Sequence, residues 1–480
     1  MNYYIGIDLG TSSCKGILCD KNGSIIKQYS VDYPVIYPAD GWTEQNPEEW
    51  LDAAKKIIAE LSAGIENDVR GLSFGGQMHG LVVLDENDEV IRPAILWNDG
   101  RTEAQTEYLN TVISKETLSA LTGNIAFAGF TAPKILWIKE NEPENFARIR
   151  KICLPKDYLA YKLTGTFSTD YSDASGMLLL DVEHKCWSEK MCEICHVNPA
   201  WLPKLYESYE KIGCLLPEYG IPDCTVTAGA GDNAAAAIGT GTVGNGSCNI
   251  SLGTSGTIFI SQDKFSVDNQ NALHSFAHAN GKWHLMGCIL SAASCRKWWL
   301  EDVIGSADYN TDEAETASAE SDVIFLPYLS GERSPHNDVN ARGAFIGLSA
   351  QTTKAQMSRA VMEGVAFALR DCLEVAKANG VSPSATNLCG GGAKSRTWRQ
   401  ITADALDLPV NILTTEQGPS LGAAMLAMVG AGEYDSTEEA AKAIVTVSET
   451  IMPDKAGVAK LEKKYRIFRK LYPALKEIRE

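Results

Sequence analysis

The stretch YIGIDLGTSSCKGILCD, residues 4–20, has the pattern of two apolar strands joined by a short turn of Gly, Thr and Ser. The same turn sequence, LGTS, returns in NISLGTSGTIFIS, residues 249–261, again between two apolar runs. The two copies begin at Leu9 and Leu252, half a chain of 480 residues apart. Repetition of one strand–turn–strand pattern in both halves predicts two domains of similar topology.

The composition of the two turns suggests what they bind. A turn of Gly, Thr and Ser can direct backbone N–H groups and hydroxyls at phosphate oxygens, so we expect both turns to face a nucleotide in a shared cleft. The residue before the turn is Asp8 in the first copy and Ser251 in the second. A carboxylate beside phosphates needs a cation between them, so Asp8 predicts Mg²⁺, held directly or through water. An Asp that only shapes the turn fits the sequence equally well.

Composition and charge narrow the class of protein. The chain is 45% hydrophobic and 22% charged, as globular proteins are, and its length predicts two or three domains. A net charge of −18 argues against a nucleic-acid partner. The sequence shows no signal-peptide pattern and no run of about 18 apolar residues, so we expect a cytoplasmic protein without a membrane partner. Thirteen cysteines without regular spacing predict reduced, mostly buried thiols.

The order of predicted elements indicates an α/β protein. Strands alternate with helices in the first half, where Asn46 and Pro47 mark the start of an amphipathic helix. The Gly-rich segment 239–246 predicts a boundary between domains 1–245 and 246–480. The second half adds predicted helices at about 354–379 and 460–478.

Two further patterns limit the chemistry. The P-loop and protein-kinase motifs are both missing, so any phosphoryl transfer must use another architecture. His274 and His278 in HSFAH have the i, i+4 spacing of a metal-binding pair but lack the adjacent Glu of zinc proteases. We therefore expect them to be ordinary structural histidines.

Longer signatures resemble the FGGY family of carbohydrate kinases. They are GFTAPKILWIKEN, residues 129–141, and GAFIGLSAQTTKAQMSRAVME, residues 343–363, and the resemblance extends from residue 4 to residue 427. It implies a duplicated actin-like (ribonuclease-H-like) α/β fold, with two domains around a nucleotide and sugar cleft. It also implies transfer of a phosphoryl group from ATP to a sugar hydroxyl, with ATP and Mg²⁺ as cofactors.

Four loops resemble those of family members that phosphorylate the ketopentose D-xylulose to D-xylulose 5-phosphate. They are GQMHG at 76–80, ILWNDGR at 95–101, LPKDYL at 154–159 and LPYLSGERSPHND at 326–338. Three alternatives stay open. The first is a kinase for another ketopentose, such as ribulose, or for a polyol; the second is a non-catalytic sugar-binding relative; the third is an actin-like or chaperone-like ATPase. The small-molecule partners implied are a ketopentose and ATP. Oligomeric state is left open, a homodimer being one option.

The resemblance also implies residue roles. Asp232, in AGAGDNAAAAIG, is implied as the catalytic base, although the sequence alone fits a helix N-cap equally well. The positions implied to contact the sugar are Met78, His79, Trp97, Asn98, Asp99, Arg101, Asp232 and Asn233. The positions implied to contact the nucleotide and its metal are Asp8, Thr11, Ser12, Thr254, Gly391, Gly392 and Ser395. Arg396 stands where some relatives have a smaller amide, which leaves the base contacts open.

Overall fold

Two seven-stranded mixed sheets, one in each half of the chain, organise the protein. The computed structural model describes residues 2–320, 322–415 and 417–479. Strands of the first sheet lie in the order Lys211–Cys214, Thr225–Thr227, Val69–Gly76, Tyr3–Leu9, Ser13–Asp20 and Ile25–Asp32, with Ala230–Gly231 also paired to Val69–Gly76. Strands of the second sheet lie in the order Val447–Ile451, Val410–Leu413, Thr386–Cys389, Cys248–Leu252, Gly256–Gln262, Trp283–Ile289 and His274–Ala277.

The two sheets repeat one topology around the LGTS turns. In each sheet, the strand before the turn pairs antiparallel with the strand after it and parallel with a strand from later in the chain. That later strand pairs parallel with another, which pairs antiparallel with the edge strand. The first turn closes between Leu9 and Cys14, and the second between Leu252 and Gly256. The predicted duplication is confirmed.

Helices cover both sheets. The helix predicted after Asn46 spans Pro47–Ser62 and begins with the Asn46 side chain accepting a hydrogen bond from the backbone N–H of Glu48. The two helices predicted in the second half span Lys354–Ala378 and Lys455–Arg479. The other α-helices are Glu103–Tyr108, Lys115–Thr122, Thr131–Asn141, Pro143–Arg148, Pro155–Thr164, Tyr171–Ala174, Glu189–Ile194, Asp232–Gly239, Ala293–Lys297, Tyr309–Ala317, Arg396–Leu406, Gly418–Gly430 and Thr437–Ile444.

Glycines bring the two halves of the chain into backbone contact. Helix Gly418–Gly430 packs on the first sheet and against helix Asp232–Gly239. A Cβ added at Gly422 would overlap the carbonyl oxygen of Ala235, and one at Gly6 would overlap that of Ser420. Because Asp232 begins one of these helices, this packing fixes the position of its side chain.

The structure bears on two expectations from the sequence, which concern membrane-spanning helices and the cysteines. Within the ranges given above, no helix has both the length and the apolar character needed to cross a membrane. All thirteen cysteines are free thiols, and most of them are buried.

Candidate active site

Asp8 and Asp232 lie at or just after the carboxyl ends of two strands that flank strand Val69–Gly76 in the first sheet. Asp8 is in parallel register with Gly75, which in turn pairs with Ala230, two residues before Asp232. Burial raises the pKa of Asp232 to about 6, although hydrogen bonds from the backbone and side chain of Asn233 lower it. Burial and the charge of Asp232 together raise the pKa of Asp8 to about 7. Two such carboxylates attract a cation or a proton.

Lys15 is a cation close to Asp8 that sequence analysis missed. It lies opposite Asp8 in the antiparallel register of the first hairpin, and its charge lowers the pKa of Asp8. Its ammonium donates a hydrogen bond to the side-chain oxygen of Gln417, in the second half of the chain. The predicted hairpin could have indicated this pairing, because residues directly opposite in a hairpin share one face of the sheet.

His79 and Met78 continue from the end of the strand that carries Gly75. Nδ1 of His79 donates a hydrogen bond to the carbonyl oxygen of Gly176, 2.9 Å away. Burial lowers the pKa of His79 to about 3, so the ring is neutral at physiological pH and its Nε2 can accept a hydrogen bond. Met78 packs against Gly231, where an added Cβ would lie 2.9 Å from the Met78 sulfur. Met78 therefore lies beside the residue that precedes Asp232, and His79 follows Met78 in the chain.

The first LGTS turn is hydrogen-bonded, through buried amide side chains, to the GQMHG loop at residues 76–80. This loop, named the sugar loop, carries the predicted sugar positions Met78 and His79. The Thr11 hydroxyl donates to Gln77 Oε1 at 3.2 Å and accepts from Trp97 Nε1 at 3.0 Å. Gln45 Nε2 donates to the Thr11 carbonyl at 2.6 Å, and Gln77 Nε2 donates to Gln45 Oε1 at 3.0 Å. Ser12 is exposed at the tip of the turn. Nothing local in the sequence marks Gln45 as buried, so its part in this network was missed.

Asp99 and Arg101, both in the loop at 95–101, form an ion-pair network that stabilises this loop. The buried Arg101 guanidinium forms ion pairs with Asp99 at 2.7 Å and with Glu44 at 2.6 Å. Asp99 also accepts a hydrogen bond from the backbone N–H of Thr43 at 2.6 Å, and Asn98 accepts one from the hydroxyl of the same residue. Both charged side chains thus already have protein partners, whereas Trp97 in the same loop is 42% exposed.

A cavity of about 360 Å³ lies beside the second LGTS turn. It is lined by three of the predicted nucleotide residues, Thr254, Gly391 and Gly392. It is also lined by Ala293, Ser294, Arg296, Lys297, Tyr309 and Trp398, which sequence analysis did not single out. Ser395 instead caps helix Arg396–Leu406, where its hydroxyl donates to the carboxylate of Glu313.

The glycine turn at residues 390–392 can approach the second LGTS turn because it has no side chain that would separate them. Gly390 has φ +86°, and a Cβ there would lie 2.7 Å from the backbone of Leu252. A side chain at this position would separate the two turns. The turn joins strand Thr386–Cys389 to helix Arg396–Leu406 through the short 3-10 helix Gly391–Lys394.

Comparison with known proteins identifies the family. The profile of the N-terminal domain of the FGGY family of carbohydrate kinases matches residues 3–239, and that of its C-terminal domain matches residues 248–431. The chain is 41% identical to a xylulose kinase of Escherichia coli (strain K12), over 98% of this chain and 99% of that protein.

Solved structures of sugar kinases support the same family assignment. A crystal structure described as a xyloylose kinase from Brucella ovis is 37% identical, with a TM-score of 0.95, over 99% of this chain and 100% of that one. A gluconate kinase from Lactobacillus acidophilus is 28% identical, with a TM-score of 0.94, over 99% and 98%. The duplicated actin-like fold is confirmed, and the chain belongs to the FGGY family of carbohydrate kinases.

Proposed function

We propose that this protein transfers the γ-phosphoryl group of ATP to a terminal hydroxyl of D-xylulose, giving D-xylulose 5-phosphate. The observation that carries the proposal is that Asp8 and Asp232 lie within electrostatic range of each other, on either side of the strand that leads into the sugar loop. The near-full-length likeness to a xylulose kinase supports the choice of sugar.

Asp232 is suited to act as the general base. Asn233 donates both of its hydrogen bonds to Oδ1, and the other carboxylate oxygen has no partner among the described residues. A pKa of about 6 leaves the carboxylate ionised at neutral pH yet basic enough to accept a proton as the phosphoryl group arrives. In the proposed reaction, Oδ2 accepts the proton of the sugar hydroxyl while that hydroxyl oxygen bonds to the γ-phosphorus. The bond between the γ-phosphorus and the oxygen that bridges it to the β-phosphate breaks at the same time, and ADP leaves with that oxygen.

His79 and Met78 would orient the sugar beside the base. Because Nδ1 of His79 donates to Gly176, the neutral ring offers Nε2 as an acceptor for a second sugar hydroxyl. Met78 supplies an apolar wall next to Gly231, which restricts how the carbon chain can lie. Together they would direct one terminal hydroxyl at Asp232.

The two turns would hold ATP between them. The cavity at Thr254, Gly391 and Gly392 would take the adenosine, which leaves the first turn and Lys15 for the terminal phosphates. The residues present fit Mg²⁺: it binds through one or two carboxylates together with phosphate oxygens and water, and Asp8 is a half-buried carboxylate at this position. When bound, the ion would neutralise phosphate charge.

Two accompanying expectations also remain proposals. We place the reaction in the cytoplasm, where ATP is supplied. We keep the homodimer as a hypothesis, to be tested by light scattering of the purified protein at several concentrations.

A coupled ADP-release assay with Mg²⁺ and ATP tests the proposal. D-xylulose should give the highest kcat/KM in a panel that also contains D-ribulose, L-ribulose, glycerol and gluconate. A clear preference for another sugar would refute the substrate while keeping the kinase. Sugar binding without ADP release would indicate a non-catalytic relative, and sugar-independent turnover would indicate an ATPase.

A further inference from the structure

His274, in the second half of the chain, is a buried histidine with no assigned partner. It is 4% exposed, and neither ring nitrogen has a hydrogen-bond partner among the described residues. Its ring stacks on Phe276, with centroids 5.3 Å apart, and lies 5.6 Å from the ring of Phe130. His79 contacts the same two rings, at 6.3 Å and 4.6 Å. Two histidines from different halves of the chain thus lie against one pair of aromatic rings.

One short turn in the first half positions both histidines. The carbonyl of Gly176 accepts the hydrogen bond from His79, and the hydroxyl of Ser175 accepts one from the backbone N–H of Ala277 at 3.0 Å. His274 begins the strand that contains Ala277, and this strand is an edge of the second sheet.

Asn124, also in the first half, secures the same edge. Its side chain donates to the carbonyl of Ser275 at 2.8 Å and accepts from the N–H of Ser275 at 3.2 Å. The residue after His274 is thereby bonded on both its backbone groups. His274 is consequently held at a fixed place relative to the sugar loop.

Arg333 places a positive charge near His79 and His274. Its guanidinium lies 5.2 Å from the ring centroid of Phe127, which is 5.1 Å from that of His274. The positive charge of Arg333 lowers the pKa of both His79 and His274, so it lies within electrostatic range of each. Within the described ranges, the guanidinium has neither an ion pair nor a side-chain hydrogen bond. The N–H donors of this half-buried guanidinium are therefore available to the oxygen atoms of water or of a ligand.

We propose that His274 and Arg333 bind oxygens of the ketose, so that the second half of the chain supplies part of the sugar site. This inference deepens the proposed function and rests on it. Arg333 offers only donors, which suits a carbonyl or hydroxyl oxygen, and a neutral imidazole offers one donor and one acceptor, which suits a hydroxyl. Buried polar groups of this kind reject a sugar that lacks the matching oxygen, because they are left unpaired. The two residues would therefore help to determine which sugar is accepted.

His274→Phe and Arg333→Met test the inference, because each keeps the packing volume and removes the polar atoms. We expect the ketose Kd from calorimetry, and its KM, to rise about 10-fold for His274→Phe and about 30-fold for Arg333→Met. The KM for ATP should change less than about 2-fold. His284→Phe is the matched control, because this buried histidine of the same sheet stacks on Phe259, at 3.9 Å. His284 meets Phe276 edge-on at 5.8 Å, but among the described residues it contacts neither Phe130 nor His79. The ketose KM should therefore stay within about 2-fold of wild type.

Deoxy analogues distinguish direct binding from a structural role. The penalty of His274→Phe should vanish for one analogue among 1-, 3- and 4-deoxy-D-xylulose, since only that sugar lacks the oxygen it binds. An equal penalty for all three, or an unchanged ketose Kd in both variants, would overturn the inference. His274→Gln, which keeps a donor and an acceptor, should recover part of the affinity, and it serves as the test variant if the Phe variant does not fold. Wild-type protein that does not phosphorylate D-xylulose would refute the proposed function instead, and the same variants would then be compared on whichever panel sugar it phosphorylates.

Discussion

Replacing Asp232 with Asn should abolish most activity while making the protein more stable. The amide has nearly the shape of the carboxylate, and its oxygen can still accept the two hydrogen bonds that Asn233 donates. The amide cannot accept the proton of the sugar hydroxyl. Loss of a general base typically costs about 10²–10⁴ in rate, and kcat should fall within that range.

The gain in stability follows from the pKa of Asp232. Its rise from the ordinary 3.8 to about 6 means that the folded state binds the proton more tightly than the unfolded state. The stability contributed by this group is fully present below about 4 and is lost as the pH rises through about 6. At pH 8 the ionised carboxylate therefore destabilises the fold, by roughly 1–3 kcal/mol. Asn carries no such penalty, so the variant should have the higher free energy of unfolding.

Urea unfolding at pH 8 and at pH 5, combined with the ADP-release assay, checks both expectations. The difference between variant and wild type should be large at pH 8 and smaller at pH 5, where part of the carboxylate is protonated. Asp52→Asn, at an exposed position on helix Pro47–Ser62, is the control and should change stability by less than about 0.5 kcal/mol and leave kcat unaltered. Turnover close to wild type would remove Asp232 from the role of base. A less stable variant at pH 8 would refute the reasoning from burial.

Three other perturbations have defined outcomes. Plots of kcat/KM against pH should fall about tenfold per unit below about 6, because Asp232 must be ionised to accept a proton; a flat profile down to pH 5 would contradict this. Asp8→Asn should raise the Mg²⁺ concentration for half-maximal rate at least about 10-fold, and an unchanged Mg²⁺ titration would remove the metal from that side chain. Gly422→Ala should lower the free energy of unfolding in urea by about 2–4 kcal/mol, because the added Cβ overlaps a backbone carbonyl. Gly213→Ala, whose Cβ would make only ordinary contacts, should have little effect, and equal losses in the two variants would refute the packing argument.

Local patterns in the sequence predicted the parts of the site that depend on local structure. The LGTS hairpins, the helix that begins at Asp232 and the turn at Gly390 all follow from apolar alternation and from glycine between elements. Partners far apart in the chain were not predictable in this way. Gln45 meets Thr11 from a separate strand. His274 and His79 both contact Phe276 only because the edge strand of the second sheet bonds to the turn at Ser175. No periodicity or motif in one segment records such a contact.

The duplication gives the two turns equivalent positions, although the residues around them differ in chemistry. Both occupy the same place in their sheets, between the central strand and its antiparallel neighbour, so both present a turn at the same edge. Only the first has a carboxylate before it, Asp8, and only the first sheet carries a second one beside it, Asp232. The second turn, after Ser251, lies instead against glycines that leave a cavity open. In the proposed complex, acidic groups beside one turn alone favour one direction for ATP, with its adenosine at the second sheet and its reacting phosphate at the first.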